Sequence, residues 1–343
     1  MKKGDSINGY ILQDNFKYVG QCGWTFASKE GNDFFIKEFL SPKYPLPESP
    51  GSEKTKKRKK ILCEQFEKHH ISIMNALFRK CSSGGNLIVT IDFFRKGTTY
   101  YKVTDKVDVS SITIDNISKL SLEKKLLILK TVSHSLQILH NANIVHGDLK
   151  PDNILIKRKE EASTEVYIAK LIDFDSSYFS GEPLQFSEDV IGDMVYYSPE
   201  LGRYVEGLDG ASLEKIQLKS DIFALGLIYH QYLSGNLPQF DHTKYRYSYS
   251  AVLDGIDLIL DPAIPSNLQN LLKSMLDKAP NNRPSIKEVF DTIPLFSKIS
   301  ADREDKSPPM NSISVNESEM SGTLRGTLIK TNKLRGTLIK KKE

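Results

Sequence analysis

Apolar and polar positions alternate in two different rhythms along the chain. Up to about residue 107, short runs such as "WTFAS", "FFIKEFL", "LIVTIDFF" and "TTYYKVTDKV" are heavy in Val, Ile, Phe, Tyr and Thr. Gly, Asn and Asp separate them, which predicts short β-strands. One stretch breaks this rhythm: residues 59–80 carry Ile61, Leu62, Phe66, Ile71, Met74 and Leu77 near helical spacing. The Pro-rich, then Lys-rich segment before it, "SPKYPLPESPGSEKTKKRKK", reads as a solvated connection and helix start. Beyond residue 108 the period is helical. Residues 121–143 place Leu122, Leu126, Leu129, Val132, Leu136 and Leu139 on one stripe. Residues 219–235, "KSDIFALGLIYHQYLSG", are so uniformly apolar that the predicted helix must be buried. Shorter helices are predicted over 268–276 and 285–293. The expected class is α+β, with a small β-rich lobe (1–107, one helix), a larger helical lobe (108–298) and a ligand cleft between them.

From about 299 apolar residues thin out, and 299–343 is expected to be a disordered basic tail. It repeats "LRGTLIK" at 324–330 and 334–340, too few copies for a solenoid. Residues 321–343 carry a charge of +6 against +4 for the whole chain, so the remainder is close to neutral at −2. That balance argues against a nucleic-acid-binding core. Cys22, Cys63 and Cys81 are odd in number and widely spaced, matching neither a disulfide framework nor a zinc site. No run approaches the roughly 18 apolar residues of a membrane span, and "MKKGDSINGY" lacks the apolar stretch of a signal peptide. A cytoplasmic protein without membrane contact is expected.

The chemistry concentrates in "IVHGDLKPDNILI", residues 144–156. Charges set between apolar strand-like flanks are tolerated only where something neutralises them. With "LIDFD" at 171–175, the segment offers Asp148, Lys150, Asn153 and Asp173 to one neighbourhood. Asn153 and Asp173 supply hard oxygen ligands suited to Mg²⁺ beside a phosphate. Asp148 is placed to accept a hydroxyl proton, and Lys150 to steady a transferred group.

These motifs resemble the protein kinase superfamily of the Ser/Thr type, over about residues 7–297. The resemblance implies a bilobal kinase fold using ATP and Mg²⁺, with Asp148 as catalytic base and Asn153 and Asp173 on the metal. Lys150, two residues after Asp148, is what Ser/Thr-specific members carry. Lys37 in "FFIKEF" matches the lysine that contacts the nucleotide phosphates, and helical spacing favours Glu67 as its ion-pair partner, with Glu64 as the alternative. "VTDKV" resembles the hinge, where backbone groups of Asp105 and Val107 would bind adenine and Thr104 would guard the space behind it. "GDMVYYSPE" and "NNRPS" align so that Glu200 would pair with Arg283, while Asp221 would brace the catalytic loop. The segment 84–107 is also similar to a subgroup of bacterial kinases with eukaryotic-type folds.

Several positions depart from the family pattern. Gly20 and Gly23 stand in a degenerate glycine loop, with Cys22 and Thr25 at its second and third glycine positions. Weaker nucleotide binding is expected, with Thr25 able to donate a hydroxyl to phosphate instead. Gly147 replaces the arginine that usually meets an activation-loop phosphate, so constitutive competence or control by a partner is expected, and not control by phosphorylation of Ser176, Ser177, Ser180 or Ser187. Asp175 replaces the DFG glycine. Asp193 replaces a threonine, within reach of Lys150 but unfavourably near Asp148. The expected activity is transfer of the ATP γ-phosphoryl group to protein Ser or Thr, on substrates the sequence does not name. The alternative is a pseudokinase acting as a nucleotide-gated scaffold. Thr327 and Thr337 in the repeated copies, with Thr323, form either a solvated basic tail, a tether for an acidic partner, or autophosphorylation sites for a phosphothreonine-binding partner.

Overall fold

The computed structural model describes residues 1–20, 22–78, 85–107, 110–161, 164–182 and 192–294. Met1–Ser300 form one compact unit. Cys81, Ser187 and the tail threonines Thr323, Thr327 and Thr337 lie outside the described residues.

The N-terminal part is a curled antiparallel sheet. Its strands are β1 (Ser6–Ile7), β2 (Tyr10–Leu12), β3 (Lys17–Val19), β4 (Cys22–Lys29) and β5 (Asn32–Phe39). After helix α1 (Glu53–Phe78) come β6 (Thr90–Lys96) and β7 (Thr99–Asp105). The order is β1-β2-β4-β5-β7-β6, with β3 pairing β4 from the side. Glu30 (φ 52°) and Gly31 (φ 78°) close β4 onto β5. Positive φ at both turn residues gives the twist a two-residue hairpin needs. The strand periodicity read from the sequence therefore carries the sheet.

Helix α1 departs from expectation in start and face. It begins at Glu53, so the Lys-rich segment belongs to its first turns and not to a loop. Its buried side is Cys63, Phe66, His70, Ile73 and Leu77, while Ile61 and Leu62 stay 47% and 37% exposed. Those five positions recur at steps of three and four, a helical stripe in which Cys63 and His70 take the place of aliphatic residues. Phe66 and His70 join Phe39, Phe93 and Tyr100 beneath the sheet, with His70 stacked on Phe93 at 4.7 Å between ring centres. Ile73 and Leu77 instead enter the main core of the helical part.

The C-terminal part contains α2 (Ile114–Ser118), α3 (Leu122–His140), β8 (Ile144–Val145), β9 (Ile154–Glu161), β10 (Thr164–Leu171) and β11 (Tyr178–Phe179). It continues through α4 (Pro199–Val205), α5 (Leu218–Ser234), α6 (Ser248–Leu253), α7 (Ser266–Met275) and α8 (Ile286–Thr292). Helices α3 and α5 form its centre, and α5 is buried along nearly its whole length, as its composition predicts. Two small antiparallel ladders then fix the polar loops: β8 with β11, and β9 with β10 in the register Ile154↔Leu171. Among the described residues no helix is long and apolar enough to cross a membrane.

Candidate active site

The two ladders bring the sequence-predicted cluster together. β8 leads into residues 146–153, β9 leaves them, and β10 returns so that Ile172 N–H donates to the Asn153 carbonyl at 3.1 Å. Asp173 follows immediately, in left-handed backbone at φ 60°. Within the loop, Lys150 Nζ lies 2.7 Å from Asp148 Oδ2. Asn153 Nδ2 donates to the Asp148 carbonyl (2.7 Å) and to Oδ2 (3.1 Å). Asn153 thus commits its amide hydrogens to Asp148, which leaves Oδ1 as the atom with ligand capacity. The backbone N–H of Asp193 donates to Asp148 Oδ1 at 3.2 Å. The Asp193 carboxylate turns the other way and accepts from Val195 N–H at 3.0 Å, so it neither pairs with Lys150 nor crowds the Asp148 carboxylate.

Asp221 on α5 anchors this loop from below. Its Oδ2 accepts from His146 N–H (2.7 Å) and meets His140 Nε2 (3.0 Å), and its Oδ1 accepts from Gly147 N–H (3.2 Å). A buried carboxylate with three partners holds the backbone ahead of Asp148 without the torsional freedom of a solvated loop. Farther out, Glu200 and Arg283 form a two-pronged pair at 2.8 Å on each arm.

Gly147 has a structural reason beyond the missing arginine. It sits at φ 79°, and a Cβ there would lie 2.3 Å from the Ser176 carbonyl oxygen. Left-handed backbone costs an L-residue about 1–2 kcal/mol before any clash. Gly147→Ala is therefore expected to lower the unfolding midpoint and, by displacing Asp148, the activity of the folded fraction. A wild-type melting curve for that variant would contradict the close approach. Ser177 is also unavailable as a surface acceptor: it is buried and donates its hydroxyl to the His146 carbonyl at 2.9 Å.

The sheet supplies the opposite wall. Lys37 on β5 reaches Asp173, with 3.2 Å to each carboxylate oxygen, and also Asp175. It does not meet Glu67, which corrects the expected ion pair. The α1 face beneath the sheet is occupied by Phe66 and His70, and Glu67 lies half-buried beside it. Glu64 is no substitute, since it pairs with Lys60 at 3.8 Å. Sequence reasoning missed Lys102 on β7. It is 5% exposed and pairs with Asp175 and, at 3.4 Å, with Asp173. Burial pulls the Lys37 ammonium down, but the Asp175 and Asp173 carboxylates more than reverse this and hold it above the ordinary lysine range. Burial likewise pushes Asp175 up, and Lys102 and Lys37 overcome it to hold the carboxyl well below its usual range.

The described residues of the glycine loop lie on β3 and β4 and between them. Val19 pairs with Cys22, and Gly20 follows β3 at φ 56°. Gly23 lies under the Tyr18 ring, where a Cβ would approach Cε1 to 2.7 Å. Thr25 is 1% exposed and donates to the Asp14 carbonyl at 2.9 Å, so it is not the phosphate donor expected from its position. Thr104 is buried at the end of β7, with Asp105 and Val107 half-buried beyond it.

Burial also holds His69, His70 and His146 below the ordinary histidine value of 6.5. The unfolded chain takes up these protons as pH falls through that value, while the folded state resists. Stability is thus intact above it and declines toward the folded pKa values, each histidine costing up to about 1.4 kcal/mol per pH unit. Unfolding midpoints should drop between about pH 7 and about pH 5. His70→Phe, which suits the aromatic cluster, should flatten that slope; an equally steep profile would exclude His70 as a contributor.

A curled sheet with a buried lysine, facing a loop that joins aspartate, lysine and asparagine beside a second aspartate, defines a kinase-type phosphotransferase fold. The match to known sequences agrees. A protein kinase domain model covers residues 52–293, and the chain belongs to that family. Calcium-dependent protein kinase 6 of Arabidopsis thaliana is 27% identical over 294 residues, 83% of this chain and 50% of its own length. Calcium-dependent protein kinase 26 of the same plant is 29% identical over 282 residues, 79% of this chain and 51% of its own. "Probable serine/threonine-protein kinase fhkD" of Dictyostelium discoideum is 26% identical over 293 residues, 84% and 36% respectively. The chain therefore spans about half the length of these relatives, or less. Nothing in these matches supports the nucleotide-gated scaffold alternative.

Proposed function

We propose that the chain is an ATP-dependent protein serine/threonine kinase in which Asp148 is the catalytic base. The observation that carries this reading is the joining of Asp148, Lys150 and Asn153 in one hydrogen-bonded loop against the strand end that presents Asp173. The donor set fits Mg²⁺: one carboxylate and one amide oxygen are hard ligands, few enough to leave positions for phosphate and water. Mg-ATP, when bound, supplies the γ-phosphoryl group and a cation that offsets its charge.

The chain's own residues do the positioning. Asp148 orients a Ser or Thr hydroxyl and takes its proton as the new O–P bond forms and the bond to the departing ADP oxygen breaks. Lys150 balances charge on the transferred group, and Lys37 holds the phosphates. Gly20, Gly23, Thr104 and the backbone of Asp105 and Val107 surround the nucleotide. Such catalysis is placement plus electrostatics, with little covalent work by the protein. Cys63, a buried free thiol, suits the reducing cytoplasm.

The purified chain, labelled ATP and Mg²⁺ test the reading, with Asp148→Asn as the blank. Phosphoserine or phosphothreonine above that blank is the expected product. Equal incorporation by both proteins, or phosphotyrosine alone, would sink it.

A further inference from the structure

Lys37 and Lys102 are direct cross-strand partners on β5 and β7, so their ammonium groups leave the same face of the sheet side by side. Like charges placed this way repel, and both lysines are largely shielded from water. Buried charges persist only when paired. The Asp175 carboxylate performs the pairing, one oxygen on Lys102 and the other on Lys37. Asp173 adds contacts of 3.2 and 3.4 Å to the same two lysines.

Helix α1 contributes no carboxylate here. Its inward residues at this level are Phe66 and His70, and His70 is locked among Phe39, Phe66 and Phe93. In most protein kinases the phosphate-contacting lysine is held by a glutamate from that helix. Taking Asp173 as a metal ligand, which rests on the function proposed above, removes it from the lysines when Mg²⁺ is bound. Only one carboxylate then stays between the two ammonium groups.

We propose that Asp175 is the positioning residue for Lys37, replacing the helix glutamate, and that Lys102 is retained to balance its charge. The phosphate-contacting lysine is thereby tied to the segment that carries the metal ligand, and its placement does not depend on α1. Two ammonium groups against one carboxylate leave a net positive charge facing the phosphates.

Lysine reactivity tests this without requiring turnover. The full chain, free of nucleotide, is treated with an amine-reactive ester, and modification of Lys37 is followed by mass spectrometry. A carboxylate-held ammonium reacts slowly, because only the free amine is nucleophilic. Asp175→Asn alone strands the Lys102 charge and risks unfolding, so the decisive protein is Lys102→Met/Asp175→Asn, in which both charges leave together. Lys37 in that protein keeps its 3.2 Å contacts to Asp173 and should therefore react about two- to threefold faster, whereas Glu67→Gln should match wild type. Adding His70→Glu returns a carboxylate from α1, and should restore both slow labelling and most of the kcat lost by the double variant, with KM for ATP changed less. Faster labelling in Glu67→Gln, or wild-type labelling and turnover in the double variant, would overturn the assignment. The expected labelling pattern in a chain that transfers no phosphate would uphold the pairing and refute the kinase reading alone.

Discussion

Asp148→Asn should lower phosphoryl transfer by about a hundred- to ten-thousandfold, the range a positioned general base supplies. The substitution keeps the shape and removes the proton acceptor. It also disturbs the loop in a definable way. An amide can still present one oxygen to the Asp193 N–H, now 3.2 Å from Oδ1. Its nitrogen would then face Lys150 and the Asn153 amide, both donors, where Oδ2 accepts at 2.7 and 3.1 Å. Donor against donor leaves Lys150 without its anchor, so part of the loss is mispositioned lysine. Nucleotide affinity should change little, because Lys37 and the β7 end are untouched. Initial rates with labelled ATP, read beside the dissociation constant of a fluorescent ATP analogue, separate the two. A variant keeping more than about a tenth of wild-type turnover would remove Asp148 from the role of base.

Glu200→Ala should be the most destabilising single change outside the cleft, costing about 3–5 kcal/mol. Arg283 has no exposed side-chain surface, and Glu200 is its only carboxylate among the described ion pairs. The guanidinium also donates to the carbonyls of Asp277, Lys219 and Lys278 and lies over the Phe223 ring. Those contacts fix it in place and supply no negative charge, so truncating Glu200 strands a buried cation. For a chain of this size the unfolding midpoint should fall on the order of 10 °C. Glu200→Gln, still a hydrogen-bond acceptor, should lose less. A shift under about 2 °C for the alanine variant would show that water reaches Arg283 and that the pair does not hold α4 to the helical core.

Much of this architecture was legible because contiguous motifs carry it. "HGDLKPDN" and "LIDFD" place their own residues, since a strand on each side leaves little choice of where the polar loop can lie. Glu200, Asp221 and Arg283 were legible through the family resemblance of "GDMVYYSPE" and "NNRPS", which implies the pair and the brace that the structure forms. Helix α1 was misread because only aliphatic and aromatic residues were counted toward its stripe. Cys63 and His70 complete the steps of three and four, and both bury readily when nothing ionises them. That error moved the inward face by a fraction of a turn and pointed to Glu67. The pairing of Lys102 with Asp175 left a fainter trace, two opposite charges in separate apolar runs without assigned partners. No local rule joins residues 73 positions apart; only the β5–β7 register and the β9–β10 return do so. Thr25 failed for the opposite reason, because family position suggested a ligand contact where strand alternation turns the side chain inward.

The burial of Lys102 also bears on which small molecules the groove would accept. Thr104 and Lys102 are two residues apart on β7 and so share a face of the sheet. A compound that enters beside the hinge and extends past the small threonine would find not an oily recess but an ammonium clasped by Asp175. Lipophilic extensions that gain affinity from an apolar recess would lose it here, whereas a compact acidic group could displace the carboxylate and select this groove over its apolar counterparts.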